Sequence, residues 1–271
     1  MKDLKEYIKE GLFDDLDKIE KIGGMESNLE LLKKEVIDWI KNNVKSIQEN
    51  KFKFDVNTSP ITVNYDDDIK YREHITSLTN GNFQWGYVSG SFGCAFCAGL
   101  KSLEGAPKKV GGYFYCAYCD SLKTLEYAPK EVGGSFQCNG CESLESLEGA
   151  PKESKNFNCN TCSSLKTLKG APKVVSESFD CSYCESLESL EGGPEKVSGH
   201  FNCRNCDSLK SLKGAPKKVG SIFNCSNCYE LTSLKGAPKE VGGGFNCFNC
   251  GTRFSENDVK KVSKVREGII C

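Results

Sequence analysis

Eight CxxC pairs open at residues 94, 116, 138, 159, 181, 203, 225 and 247, so the chain repeats every 22 residues, with one interval of 21. Each unit reads V-x-x-x-F-x-C-x-x-C-x-S-L-x-S-L-x-G-A-P-K-x with small variations. A fixed period of this length, with Phe, Cys and Leu at constant offsets, marks a solenoid whose coils bury a stripe only by stacking on their neighbours. The x-F-x-C-x segment alternates, which turns Phe and the first Cys to one face of a short strand and their neighbours to the other.

Coils stacked about 4.8 Å apart place each strand beside its equivalent in a parallel sheet, and eight of them span roughly 38 Å. Phe92, Phe114, Phe136, Phe157, Phe179, Phe201, Phe223 and Phe245 then form one internal ladder. Leucine pairs such as Leu122/Leu125 and Leu144/Leu147 fill the opposite inner wall. Gly-Ala-Pro makes the return corner and excludes a long helix, leaving the back extended or in a 3₁₀ turn. The short interval, PKESKNFNC, lacks one residue before Phe157 and predicts a tightened corner.

The flanks differ from the repeats. Residues 1–50 read as helical, with Leu4, Ile8, Leu12, Leu16 and Ile19 at helical spacing around Gly11. GLFDD can equally form an arm, and Gly23-Gly24 is expected to end the segment. A second helix puts Leu29, Leu32, Val36, Trp39, Ile40, Val44 and Ile47 on one face, with Ser27 and Glu30 as a capping box. These helices are expected to cover the open end of the solenoid; a separate docking or oligomerisation module is the alternative.

Residues 51–87 read as two short strands, KFKFDV and ITVNY, around Pro60, followed by a degenerate coil from Ile75 to Gly86. The acidic run Asp66-Asp67-Asp68 reads as a solvated turn rather than a cation site. The repeats occupy 88–254. In 255–271, Ser255 as N-cap, Asp258 three residues on and Phe254 against Val259 predict a capped helix with Val259, Val262 and Val265 on one stripe. That helix is expected to seal the last coil, leaving Cys271 as an exposed thiol on a tail.

Charge argues against broad electrostatic attraction. With 36 basic and 37 acidic side chains, the net charge is −1, so neither a nucleic acid nor an anionic membrane is an expected partner. The residue after the first Leu of each pair runs Lys101, Lys123, Glu145, Lys166, Glu188, Lys210, and that after the second runs Glu104, Glu126, Glu148, Lys169, Glu191, Lys213, Lys235. From the third repeat to the sixth both columns alternate in sign, which sets Lys beside Glu in stacked coils and supports the register. The start, MKDLKEYIKEGLFDDLDK, has no apolar secretory core, and no run is long enough to span a membrane. The expectation is a cytoplasmic protein with reduced cysteines.

Those cysteines admit three readings. Pairs of CxxC are a zinc signal, and adjacent coils can supply four thiolates from Cys94, Cys97, Cys116, Cys119, Cys138, Cys141, Cys159, Cys162, Cys181, Cys184, Cys203, Cys206, Cys225, Cys228, Cys247 and Cys250. Redox chemistry is a second reading, though reactive CxxC pairs usually sit at a helix N-terminus and these follow a strand. The period itself accounts for the spacing without metal, because a free cysteine packs as a small hydrophobe at an inward position. Packing is the reading adopted, with no cofactor and zinc as the alternative.

The unit F-x-C-x-x-C-x-S-L-x-S-L resembles cysteine-bearing and bacterial surface-type leucine-rich repeats. With G-A-P-K-x-V-G-G added, it resembles short repeats in proteins of tailed bacteriophages, in which Asn often takes the place of the second Cys. KDLKEYIKEGLFDD also resembles phage N-terminal segments. The resemblance covers 88–254 well and the N-terminal region weakly, and it implies a fold and an origin but no chemistry. The expected fold class is therefore a mainly β, leucine-rich-repeat-like solenoid with a parallel sheet, an α-helical N-terminal region and a C-terminal capping helix.

Nothing in the sequence assembles a catalytic centre. His74 and His200 lie far apart in sequence, and there is neither a phosphate-binding glycine loop nor a nucleophile elbow. The expectation is a non-catalytic scaffold whose outward strand positions line a concave binding face. Its candidate contacts are Tyr113, Tyr115, Tyr118, Gln137, Asn158, Asp180, His200, Asn202, Arg204, Asn224 and Asn246, with the tyrosines as anchors. A protein partner is expected, in a host cytosol or virion if the chain is phage-encoded. A structural virion or cargo protein docked by its N-terminal helices is the alternative, and a zinc-binding or thiol-redox protein a further one.

Overall fold

The computed structural model describes residues 23–271; the helix expected around Leu4 to Ile19, and the GLFDD segment within it, lie outside the described residues. From Ile61 onward the chain winds into a parallel β-solenoid of about ten coils. One sheet runs its length with eleven strands, ordered from Val44–Lys45 through Ile69–Tyr71, Phe92–Gly93 and the Phe-bearing strands to Ile269–Ile270. Every Phe of the repeat pairs in register with the Phe of the next coil. All eight are fully buried, and successive ring centroids lie 5.0–5.7 Å apart, stacked from Phe92 to Phe223 and tilted by 43° between Phe223 and Phe245. The leucine pairs from Leu100/Leu103 to Leu231/Leu234 are buried as well. The Gly-Ala-Pro corners form turns with no helix on the back.

A second set of strands, not anticipated from the alternation, lies at the K-V step of each unit. It forms a five-stranded sheet ending at Lys109–Val110 and Glu131–Val132, and a six-stranded sheet from Glu153–Ser154 to Lys264–Val265. Val88, Val110, Val175, Val197, Val219 and Val241 are buried along this column. The glycine after the valine is dictated by the stacking, since a Cβ at Gly133 would lie 2.1 Å from the Gly111 carbonyl oxygen.

The two smaller sheets part where the short interval falls. Ser154 stands in the valine column, and only a 3.4 Å bond from Lys155 N to Gly134 O crosses the corner there. Side chains take over the bonding. The Ser154 hydroxyl donates to Asn156 O at 2.7 Å, Asn156 Nδ2 donates to Ser135 Oγ at 3.2 Å, and Ser178 N donates to Asn156 Oδ1 at 3.0 Å. The deletion thus shortens the corner and interrupts the ladder.

At the N-terminal end, helix α1 spans Gly23–Asn43 and stops before Val44. Val36 and Ile40 are buried in the solenoid core, and Trp39 packs edge-on against Phe83 and Tyr71 with centroids 5.5 and 6.4 Å away. The helix therefore lies across the first coils. Val44 is in a strand antiparallel to Ile69–Tyr71, not on the helix face. Phe52–Asp55 and Ile61–Tyr65 are the two strands expected around Pro60, and they pair antiparallel as a hairpin, but the first irregular coil begins at Ile61, earlier than Ile75. Asp66 and Asp68 bind Ser89 Oγ (2.7 Å) and Ser91 N (2.6 Å) of the next coil, and Asp67 pairs with Lys51. The acidic turn is a staple between coils.

Helix α2 (Glu256–Val262) has the expected capping box between Ser255 and Asp258, with Val259 buried. Val265 is not on its stripe: Lys264–Val265 joins the six-stranded sheet and Ile269–Ile270 the eleven-stranded one. KVREGIIC is thus a partial ninth unit, with Ile269 in the Phe column and Cys271 in the first-Cys column. Cys271 is half-buried, with its sulfur 3.2 Å from that of Cys247, and so is not on a free tail.

The charge columns behave unequally. The second-Leu column forms Lys169–Glu148 (2.8 Å) and Lys213–Glu191 (2.6 Å) across coils, whereas the first-Leu column forms no ion pair among the described residues. The K-V column adds Lys109–Glu131 and Lys218–Glu240 at 2.8 and 2.9 Å.

Hydrogen bonds from Ser255, then the Lys261 ammonium, push the Asp258 carboxyl down to about 2. Ser255→Ala is expected to cost about 1 kcal/mol. A carboxyl depressed in the folded state stabilises above its unfolded pKa, near 3.9, and loses that effect as pH falls through its folded value. The melting-temperature gap between the native chain and Asp258→Asn should therefore hold at neutral pH and close between about pH 4 and 2, which thermal melts across that range check.

Candidate functional site

The cysteines occupy two inward columns, and all seventeen are free thiols. The first column fills the strand interior behind Phe. The second does a repeated piece of bonding. Cys119 Sγ donates to the carbonyl of Cys94 at 3.2 Å, Cys141 to Cys116 at 3.1 Å, Cys162 to Cys138 at 3.3 Å and Cys184 to Cys159 at 3.2 Å. Cys206, Cys228 and Cys250 do the same to Cys181, Cys203 and Cys225, each at 3.2 Å. Each second thiol thereby satisfies a strand-end carbonyl of the coil before it, a polar group that would otherwise be buried without a partner. Burial pushes the Cys116, Cys138, Cys159, Cys181 and Cys203 thiols well above their ordinary range, and Cys162 and Cys228 up to about 12. Among the described residues no three His, Cys, Asp or Glu side chains converge in a manner that can hold a metal ion.

The residue before each second cysteine turns the chain out of the strand through a left-handed conformation. Phe96, Tyr118, Gly140, Thr161, Tyr183, Asn205, Asn227 and Asn249 all have φ between 55° and 71°. Glycine and asparagine adopt this region at low cost, but bulky side chains rarely do. Its polar end forms an amide ladder, with Asn227 Nδ2 to Asn205 Oδ1 at 3.3 Å and Asn249 Nδ2 to Asn227 Oδ1 at 3.0 Å.

The eleven expected contact residues do not form one site. Asn158, Asp180, Asn202, Asn224 and Asn246 each accept a bond from the backbone N–H two residues on, at 2.9–3.3 Å, closing the turn before the second cysteine. Gln137 is half-buried in the same column. His200 is exposed, and its Nδ1 accepts from Ile222 N at 3.4 Å. Arg204 lays its guanidinium over the Tyr183 ring, 5.3 Å from the centroid.

The tyrosines behave differently. Tyr113 and Tyr115 are exposed on the strand face with rings stacked at 5.7 Å. Tyr118 is exposed at the left-handed corner and stacks on Phe96 at 5.0 Å with planes 7° apart. Phe96 escapes a reading of strand positions because it lies past the strand end. The signal that finds it is the column itself, in which Gly140 and three asparagines mark a left-handed position.

No family model, curated protein or solved structure matches this chain. The site is therefore read from its own geometry. Four exposed aromatic rings in two adjoining coils, Phe96, Tyr113, Tyr115 and Tyr118, are its most distinct surface feature, and a cleft of about 350 Å³ opens beside two of them, lined by Tyr118, Asp120, Gly140, Glu142 and Thr161. Among the described residues no helix is long and apolar enough to cross a membrane.

Proposed function

We propose that the chain is a non-catalytic protein-interaction scaffold that docks its partner on the aromatic end of the solenoid, at the Phe92 and Phe114 coils. The observation that carries this is the pair of stacked, exposed ring sets, Tyr113/Tyr115 and Phe96/Tyr118. Aromatic residues dominate interface hot spots, and rings already held by stacking lose little freedom on binding. The asparagines farther along serve the turns, so the anchor lies at one end of the sheet face. The likeness of the repeat to those of tailed phages and leucine-rich proteins rests on motif alone; it favours a phage-encoded chain acting on a host protein in a reducing cytosol.

Serine and asparagine occupy the positions of Tyr113 and Tyr115 in other coils, as Ser135 and Asn158. The double variant Tyr113→Ser/Tyr115→Asn should therefore fold, melt like the native chain, and lose most of the capture of its partner from host extract. Capture undiminished by this variant would remove the face from consideration.

A further inference from the structure

The first-cysteine column is closed differently at its two ends. The register of Ile69–Tyr71 on the Phe92 strand sets Tyr71 beside Cys94. Tyr71 is buried, and its hydroxyl donates to Leu78 O and accepts from Trp85 Nε1 at 2.8 Å. Helix α1 covers that end with Val36 and Ile40. At the other end, the register of Ile269–Ile270 on Phe245–Asn246 sets Cys271 beside Cys247. The cover there is slight, since α2 is seven residues long with Val259 buried, and Ile270 is exposed.

A terminal coil has a neighbour on one side, so it opens more readily than the coils within the array. Among the bonds that fasten this one, Phe245 N donates to Gly268 O at 3.0 Å and Cys247 N to Ile270 O at 2.8 Å. The thiols at this end meet: the sulfurs of Cys247 and Cys271 are hydrogen-bonded at 3.2 Å. Cys250, the CxxC partner of Cys247, donates instead to the Cys225 carbonyl at 3.2 Å. Cys247 is buried, whereas Cys271 is half-buried and open to a small reagent. Adjacent coils about 4.8 Å apart fall within the span of about 4.4–6.8 Å that a disulfide bridges between Cα atoms.

We propose that Cys247 and Cys271 form a redox latch, which a small-molecule disulfide such as oxidised glutathione closes to fasten the C-terminal coil. The Cys271 thiolate attacks the reagent's disulfide, releasing one thiol and leaving a mixed disulfide on Cys271. Cys247 then attacks the Cys271 sulfur and releases the second thiol. The two cysteines are oxidised, the small disulfide is reduced to two thiols, and the two cysteine protons leave on them. Reduced, the coil opens and bares the edge of the Phe245 strand; oxidised, it keeps that edge paired. The latch lies at the opposite end of the array from the exposed tyrosines and stands independently of partner docking.

The test incubates the native full chain with oxidised glutathione, quenches it in acid, and maps disulfides by mass spectrometry alongside amide hydrogen exchange. A Cys247–Cys271 bond is expected, with the thiol titre in denaturant falling by two from seventeen. Exchange at the Phe245 and Cys247 amides should slow about tenfold or more, and that of the Phe114 and Phe136 coils should not change. Dithiothreitol should reverse both effects. Cys250→Ser should still form the bond, while Cys271→Ser should exchange like the reduced native chain with or without the oxidant. An unreacted pair, a glutathione adduct that persists on Cys271, or a Cys247–Cys250 bond in its place would each overturn the proposal. So would a Cys247–Cys271 bond that leaves exchange at the two amides unchanged.

Discussion

Phe179→Ala is expected to remove about 3–5 kcal/mol of stability, the range for emptying an aromatic site in a close-packed interior. Its ring is fully buried between Phe157 and Phe201, at 5.5 and 5.3 Å. Each coil contacts only its neighbours, so the loss falls on two interfaces and cannot be shared along the array. Hydrogen exchange should show protection falling first in the strands that carry Phe157 and Phe201. Phe245→Ala should cost less, because the next coil offers half-buried Ile269 in place of a second ring. Similar losses at the two positions would argue against the ladder as the source of cohesion.

The return corner supplies the second large effect. Gly149 has φ of 98°, and a Cβ there would meet the Leu125 carbonyl oxygen at 2.1 Å and the Glu126 nitrogen at 2.4 Å. Gly105 has a similar φ of 87°, but its Cβ would meet the end of the Thr79 side chain at 2.6 Å. Alanine at either position carries the left-handed cost of about 1–2 kcal/mol. Gly149→Ala must in addition displace backbone that is locked into the stacking, whereas Gly105→Ala needs only a side-chain rotation. Gly149→Ala should therefore be the more destabilising in denaturant melts, by a margin of at least about 1 kcal/mol. Equal effects would mean that conformation alone dictates the glycine.

Much of this architecture is legible in the residues because a solenoid repeats its errors and its successes alike. The Phe ladder, the leucine wall, the helix-free back and the Ser255 cap all follow from offsets that recur or from a local motif. What escapes notice is what stacking creates. Glu131–Val132 is a strand only because the preceding coil, at Lys109–Val110, hydrogen-bonds to it; two residues carry no alternation to read. KVREGIIC escapes because Ile replaces Phe and helix α2 stretches the interval from Cys247 to Cys271 to 24 residues.

The candidate site divides along the same line. Tyr113, Tyr115 and Tyr118 stand out by composition and are exposed. Asn158, Asp180, Asn202, Asn224 and Asn246 look like a recognition column, yet each closes a turn through its side-chain oxygen. A polar residue at an outward strand position can serve its own backbone as readily as a partner. Only the bond from the N–H two residues on separates the two roles.

Whether the CxxC columns are interior donors or metal ligands decides how the repeat is understood, and one measurement addresses it. The chain, purified under reducing conditions without chelator, would be assayed for metal by elemental analysis and for thiols by titration, native and then in denaturant. The thiol ladder predicts well under one zinc per chain, few thiols reactive in the native state with Cys271 foremost among them, and all seventeen cysteines of the sequence titrating on unfolding. About four zinc per chain, one for every two CxxC pairs, released together with thiol reactivity, would contradict it.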